Sequence, residues 1–266
     1  MHRRPLGLLA LGLILAAAAA PAQDPAAAAP RPPRATGSPP SDSPPPSPVP
    51  GLQSPVSPPD SSPVVYPVGS EPQPEPSPVR WEGPIAHLGS VQVDSRSKTV
   101  AATGWVNQTE GPIEVLACGP KGKVHESVFV LALNPLDLQA ALLLVGLKGG
   151  QPMAALGEGP PAGAPVDILV EWKDGGETRS ARAETFVWNS AENAALPETP
   201  WTFTGSVVKD GQFKALAEDS LVVTYWDPYA IVNLPLPCGA NDEILRVNTR
   251  AVPPYETPVT FRFLPR

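Results

Sequence analysis

The stretch "VDILVEWKDGGETRSARAETFVW", residues 166–188, indicates the fold class. Val166, Ile168 and Val170 alternate with other residues, which places their side chains on one face of a β-strand. Asp-Gly-Gly at 174–176 is typical of a tight turn, and a second run of strand-forming residues follows it. The stretch therefore predicts an antiparallel hairpin with one apolar face.

The same strand pattern extends to both sides of this hairpin. Residues 89–107 and residues 112–133 each have the pattern of two strands about a turn. Single strands are predicted within 201–208, 220–226 and 258–263. These segments predict antiparallel sheets, either in one domain or in two abutting β units.

One segment, "NPLDLQAALLLVGLKGG" at 134–150, predicts a helix instead. Asn134 is a suitable N-cap, and Gly149 can take the left-handed conformation in which many helices end. Because residues 140–145 are apolar all round, we expect the helix to be buried. The side chains expected in the core are Leu142, Leu143 and Val145. The predicted fold class is mainly β with one buried helix, a β-rich α+β fold.

The first residues, "MHRRPLGLLALGLILAAAAAPAQDP", have the layout of a secretory signal peptide. Arg3 and Arg4 precede an apolar run at 6–20, and Ala20-Pro21-Ala22 fits a cleavage site. The apolar run is shorter than the roughly 20 residues that span a bilayer. We therefore predict a signal peptide at 1–22 and export to the periplasm, cell envelope or exterior, with an uncleaved anchor as the alternative.

Residues 23–80 are rich in Pro, Ser and Ala, and hold 20 of the 39 prolines of the chain. Proline removes backbone donors and fixes φ, so this composition cannot offset the entropy cost of folding. The segment predicts a disordered spacer with polyproline II stretches. It leads into residues 81–266, which are long enough for one sizeable hydrophobic core.

Residues 81–266 carry 14 Lys and Arg against 21 Asp and Glu, so their net charge is −7. Phosphate contacts dominate nucleic-acid affinity, and anionic lipids also attract basic residues. An acidic domain without a basic run is a poor fit to nucleic acid and to anionic membranes. No partner follows from the sequence beyond a role as an envelope component.

The stretch "CGPKGKVHES", residues 118–127, places a cysteine near one of only three histidines. It does not match a P-loop, a zincin helix or a nucleophile elbow. Cys118, His125 and Glu126 remain as weak catalytic candidates, and no cofactor or metal site is predicted. A Cys and a His without a third orienting group make a structural hairpin the preferred interpretation.

The turn of this expected hairpin decides which side chains share a face. With a two-residue loop, Cys118 would pair with Lys123 and lie diagonal to His125. With a three-residue loop, Cys118 would pair with Val124 and share a face with Glu126. In either register His125 and Glu126 are expected to point to opposite faces of the strand.

Several features in the same order resemble the YdjY family. They are Cys118 followed after six residues by His-Glu-Ser, the apolar helix after it, "ILVEW" at 168–172 and "TPVTF" at 257–261. The resemblance covers roughly residues 85 to 264. It implies a bacterial envelope or secreted domain whose biochemical role is not established. Some members carry a "ferredoxin-like" label, but an iron–sulfur cluster normally takes four cysteine ligands, and this chain has two cysteines.

Cys118 and Cys238 can be bonded or free in an exported protein. An oxidising compartment favours pairing, whereas two cysteines far apart in sequence need not meet. A bond between them would consume the thiol that a nucleophile requires. Two hypotheses therefore stand: a non-catalytic envelope module with a binding or scaffolding role, or an enzyme or redox/metal protein centred on Cys118 and His125.

Overall fold

The structure is a computed structural model that describes residues 75–151 and 153–266. The predicted signal peptide at 1–22 and the predicted spacer up to residue 74 lie outside the described residues. Among the helices of the described part, none is long and apolar enough to cross a membrane.

The described residues form short strands, two α-helices and three 3-10 helices. The strands in chain order are β1 Arg80–Glu82, β2 Ile85–Leu88, β3 Val91–Asp94, β4 Thr99–Val106, β5 Val115–Cys118, β6 Ser127–Leu131, β7 Ala164–Asp174, β8 Glu177–Arg182, β9 Val187–Asn189, β10 Ala194–Ala195, β11 Trp201–Phe203, β12 Val208–Lys209, β13 Gln212–Phe213, β14 Ser220–Val223, β15 Val232–Asn233, β16 Leu245–Val247 and β17 Pro258–Pro265. The helices are α1 Pro135–Leu144 and α2 Lys214–Glu218, with 3-10 turns at Val124–Glu126, Ala183–Phe186 and Pro237–Ala240.

Eight of these strands close into a barrel. The order around the ring is β4-β17-β7-β11-β15-β14-β5-β6, and β6 pairs again with β4. β3, β2 and β1 extend the sheet outward from β4, and β8 adds to β7. β9, β10 and β16 form a separate three-stranded sheet. The fold is thus mainly β, as the alternation pattern predicts.

The sheet is mixed, which corrects the expectation of antiparallel sheets alone. β5 runs parallel to β6 with Val115 opposite Ser127, and β14 runs parallel to β15 with Val222 opposite Val232. In both cases the connecting segment returns to the starting end of the first strand before the second strand begins. Alternation of apolar residues is the same for both directions, so it does not encode strand polarity.

The predicted hairpins at 89–107 and 166–188 are confirmed. β3 and β4 pair antiparallel about the turn at 95–98. β7 and β8 pair antiparallel from Leu169 opposite Arg182 to Asp174 opposite Glu177, with Gly175 and Gly176 at the turn. Both glycines have positive φ, which is the reason this turn needs them.

Aromatic residues contribute to the hydrophobic core. Phe261 and Phe263 of β17 are fully buried, as are Ile168 and Val170 of the neighbouring β7. Phe129 of β6 makes edge-to-face contacts with Phe186 and Phe261, each with ring centroids 5.2 Å apart (the geometry that aromatic pairs prefer). Burial of the inward set on each strand is the main source of stability.

Gly104 is required where the barrel closes. It lies on β4 at the point where this strand pairs with β17 on one side and β6 on the other. A Cβ at this position would lie 2.0 Å from the carbonyl oxygen of Val130. Any side chain would therefore push β4 and β6 apart.

Helix α1 is only half-buried, which corrects the expectation of burial on all sides. Leu138, Ala141 and Leu142 are fully buried and lie at the i, i+3, i+4 spacing of one helix face. Leu143 and Leu144 are 49% and 47% exposed. The helix packs against β2, β3 and β4, and one stripe of it faces the core despite the uniform composition.

The start of α1 follows the prediction, but its end does not. The Asn134 side chain accepts a hydrogen bond from the backbone N–H of Leu136 and caps the helix. The chain leaves the helix at Gly146, with φ of 97°, and not at Gly149. The N–H of Leu147 donates to the carbonyl of Leu142, as in a Schellman ending.

The chain already contacts the domain before Trp81. Ser77 donates from its backbone N–H and from its hydroxyl to the carboxylate of Asp137, at 2.6 and 2.9 Å. Asp137 is 2% exposed and sits in the first turn of α1, where the helix dipole favours an anion. The last residues of the proposed spacer therefore satisfy a buried carboxylate of the domain.

Candidate functional site

The segment 118–127 is not an antiparallel hairpin, which corrects the sequence interpretation. β5 ends at Cys118, a loop and a 3-10 turn follow, and β6 starts at Ser127 parallel to β5. The Cα partner of Cys118 on β6 is Val130, so neither expected register occurs. The segment carries the chain back along the sheet, and some of its backbone N–H groups bond within it, such as that of Glu126 to the Lys123 carbonyl.

Asp219 holds this connection in place. Its backbone carbonyl accepts from the N–H of Gly119, and its Oδ2 accepts from the N–H of Lys121, both at 2.8 Å. A Cβ at Gly119 would lie 2.0 Å from the Asp219 carboxylate, so only glycine fits there. The N–H groups of Gly119 and Lys121 are thus satisfied from the end of α2, while the Gly122 N–H donates within the turn to the Gly119 carbonyl.

Cys118 is fully buried between the neighbouring strands. It packs with Val115, Val130, Val223 and Ala230 in a small apolar cluster. Burial raises the pKa of the Cys118 thiol to about 11, despite a hydrogen bond with Ser127. A thiol in this environment stays protonated at neutral pH, and the thiolate is the nucleophilic form.

His125 and Glu126 are neighbours in contact, contrary to the expected opposite faces. His125 Nε2 lies 3.4 Å from Glu126 Oε1, because both residues belong to a 3-10 turn and not to a strand. The His125 side chain is 74% exposed. Lys123 Nζ lies 2.5 Å from Glu114 Oε2 and 3.8 Å from Glu126 Oε2. Glu126 therefore belongs to a partly buried ion-pair cluster, and its Oε2 makes no hydrogen bond among the described residues.

One cleft of about 390 Å³ has two of the three candidates, Cys118 and His125, at its border, while Glu126 does not line it. Besides Cys118 and His125, it is lined by Glu218, Ser220 and Asp227. Burial raises the pKa of the Asp227 carboxyl, although the N–H of Tyr229 donates to it. Burial and the nearby Asp227 raise the pKa of Glu218. The cleft combines weak acids with a neutral thiol.

Sequence reasoning missed Ser220 and Asp227 as neighbours of Cys118. Ser220 is the Cα partner of Cys118 on β14, and its hydroxyl lies 3.4 Å from Asp227 Oδ2. These residues are about 100 positions from Cys118 along the chain, and no local motif links them. Within residues 75–151 and 153–266, no group of three or more His, Cys, Asp or Glu is placed to hold a metal ion.

Cys238 lies away from Cys118 in the fold. It belongs to the 3-10 turn Pro237–Ala240 and packs against the main core, whereas Cys118 packs in the small cluster. Both cysteines are free thiols in the structure. A thiol count on the exported protein decides between the bonded and the free forms.

The aromatic residues near 226 do not form an exposed patch. Trp226 is 7% exposed, and its indole N–H donates to the carbonyl of Leu234 at 2.7 Å. Tyr229 is half-buried, with the ammonium groups of Lys209 and Lys214 each 5.8 Å from its ring centroid. These residues close the core at this end of the molecule.

Comparison with protein families finds one match, and it covers most of the described residues. The model of the YdjY domain matches residues 91–263. No curated protein and no solved structure matches the chain. The match includes Cys118, His125, α1 and most of β17, the elements that carry the sequence resemblance. The chain therefore belongs to the YdjY domain family.

Proposed function

We propose that this chain is an exported, non-catalytic module of the cell envelope that binds a ligand through its β-rich domain. The proline-rich segment 23–80 would act as a spacer between the domain and the N-terminal region. The acidic charge of residues 81–266 supports a ligand other than nucleic acid. The signal-like start of the sequence supports export.

The non-catalytic part of the proposal depends on the burial of Cys118 and on the raised pKa of its thiol. A catalytic cysteine needs a depressed thiol pKa, an accessible sulfur and a base within hydrogen-bond reach. Cys118 has a raised pKa and 0% exposure, while the His125 side chain points largely into solvent and contacts Glu126. Cys118 of β5 is instead paired with Ser220 of the neighbouring barrel strand β14.

A cysteine-centred enzyme is the second candidate, because Cys118, His125 and Asp227 line the same cleft. Alkylation of the exported protein separates the two candidates. Alkylation in urea counts the thiols, and we expect two per chain. Alkylation of the native protein at pH 8 should then label Cys118 at least ~100-fold more slowly than in urea, since it needs an opening of the fold.

Cys238, which is half-buried, serves as the internal control and should react faster than Cys118 in the native protein. A native Cys118 that reacts as fast as an unfolded thiol would favour the enzyme. Intact-mass measurement of the same sample tests export, with an expected N-terminus at Gln23. A chain that retains residues 1–22 would support the anchor instead.

A further inference from the structure

The outer face of the three-stranded sheet presents an aromatic residue beside two arginines. Ala195 of β10, Trp188 of β9 and Arg246 of β16 lie directly opposite one another. The alternate residues Val187, Leu245 and Val247 are buried, so Trp188 and Arg246 share the outward face. On the other flank of Trp188, which is partly exposed, lies the small side chain of Ala195.

Arg250 joins this row from the turn that follows β16. Its guanidinium carbon lies 5.7 Å from the centroid of the Trp188 ring, within the range of a cation–π contact. The N–H of Arg250 donates to Oδ1 of Asn248, which is 7% exposed and also bonds the carbonyl of Thr185. The turn that carries Arg250 is therefore fixed by a buried side chain.

Among the described residues, neither arginine has an acidic partner. In the described ranges 75–151 and 153–266, no ion pair involves Arg246 or Arg250, while Arg179, Arg182, Arg262 and Arg266 all form ion pairs. Residues 81–266 have an acid excess of seven charges, so two guanidiniums that line one cleft without an ion pair among the described residues stand out here. Two guanidiniums that line one cleft without a carboxylate among its described lining residues favour an anion there.

The two arginines line a cleft of about 350 Å³. Ser190, Asn193 and Thr249 also line it, and no carboxylate is among its described lining residues. The volume lies at the low end of the range for small-molecule clefts, about 300–1,000 Å³. Hydroxyl and amide groups on the rim can bond a polyhydroxylated ligand, and the flank of Trp188 can cover an apolar ring face.

We infer that this cleft binds a carboxylate-bearing saccharide, with Arg246 and Arg250 on the carboxylate and Trp188 against the sugar ring. The planar guanidinium matches a carboxylate through two parallel hydrogen bonds. Stacking on Trp188 leaves the edge of the Arg250 guanidinium free to donate. This inference rests on the proposed binding function and names its ligand class.

Titration calorimetry of the full exported chain tests the inference. The probe is a tetrasaccharide of alternating glucuronate and N-acetylglucosamine, and its matched control is the same saccharide with each carboxylate reduced to an alcohol. We expect the reduced form to bind at least ~10-fold more weakly, as expected for the loss of a charge-assisted hydrogen bond. Inorganic phosphate at equal ionic strength should displace the probe poorly, because it offers no ring face.

Arg246→Gln and Arg250→Gln should each weaken binding of the glucuronate probe by at least ~10-fold on the same grounds. Both side chains are exposed, so the variants should fold, and their urea unfolding midpoints check this. Arg179→Gln is the matched control, since Arg179 lies on β8 and pairs with Asp174 and Glu177. Its affinity should stay within about twofold of the wild type.

Equal binding of the carboxylated and reduced saccharides would overturn the inference. The inference would also be wrong if phosphate displaced the probe as effectively as unlabelled saccharide does. The same holds if the arginine variants bound the probe normally, or if the wild type did not bind it at millimolar concentration. None of these results changes the reactivity of Cys118. A failure of the ligand class is therefore distinguishable from a failure of the non-catalytic proposal, which the alkylation rates decide.

Discussion

At the scale of single residues, Leu142 and Leu143 show how position outweighs residue type. They are neighbours on α1 with the same side chain, yet Leu142 is fully buried and Leu143 is 49% exposed. Only Leu142 falls on the stripe that faces the sheet. The hydrophobic contribution of a leucine follows the area that it removes from water.

Leu142→Ala should therefore lower the free energy of unfolding by about 2–5 kcal/mol, as core truncations do. Leu143→Ala should change it by less than about 1 kcal/mol, because alanine is also the better helix former. Urea unfolding of both variants measures the difference. Equal losses for the two variants would show that α1 buries both faces.

Glu184 is a second residue whose environment the sequence does not reveal. It is 1% exposed, and its carboxylate accepts from Arg182 Nε at 2.5 Å and from the indole N–H of Trp201 at 3.2 Å. Arg182 also donates to Asp167 at 2.7 Å. The buried charge of Glu184 is thus balanced by Arg182.

Arg182→Met should destabilise the protein by about 3–5 kcal/mol, because it leaves the Glu184 carboxylate buried without its cation. Arg262→Met is the control, since Arg262 pairs with Glu171 at 2.7 Å but is 41% exposed. Its loss should stay below about 1 kcal/mol, as for exposed ion pairs. Thermal or urea unfolding compares the two, and a similar loss in both would contradict the role of burial.

At the scale of elements, the connection from β5 to β6 depends on a residue of another element. Asp219 follows α2 with φ of 52°, in the left-handed region, and its carboxylate accepts from the N–H of Lys121. Burial raises the pKa of this carboxyl, because removal from water disfavours its charged form. The return of the chain to the start of β6 is fixed by this contact.

Asp219→Ala should lower stability by about 1–3 kcal/mol, because it orphans a backbone donor and places alanine at positive φ. Asp219→Asn should lose less than about 1 kcal/mol, since asparagine keeps an acceptor and tolerates the left-handed region. Denaturant unfolding measures both changes. If the two variants were equally unstable, the hydrogen bond from the Lys121 N–H to Asp219 would not be what fixes the connection.

At the scale of the whole molecule, Ser77 contacts Asp137 of α1 from a position ahead of the first described strand. This contact satisfies a carboxylate that is 2% exposed, so the residues from Ser77 onward belong with the domain energetically. Composition alone indicated that the domain begins at Trp81. β1, which begins at Arg80, extends the sheet beyond that boundary by one residue.

Limited proteolysis of the full chain should therefore leave a resistant fragment that begins close to Ser77. Mass spectrometry of the fragment identifies its first residue. Ser77→Ala should weaken protection at this end by removing the hydroxyl donor, while Ser97→Ala, at an exposed turn, should not. A protected fragment that begins far upstream would show that the predicted spacer folds as well.

The sequence by itself determined the mainly β class, the hairpins at β3–β4 and β7–β8, the N-cap at Asn134 and the family. Each of these depends on neighbours in the chain, through alternation, turn glycines, capping or motif order. Only the tertiary structure decided the parallel pairing of β5 with β6, the exposure of Leu143, and the meeting of Trp188, Arg246 and Arg250. These depend on which distant segments pack together, and local patterns of apolar and polar residues carry no information about that choice.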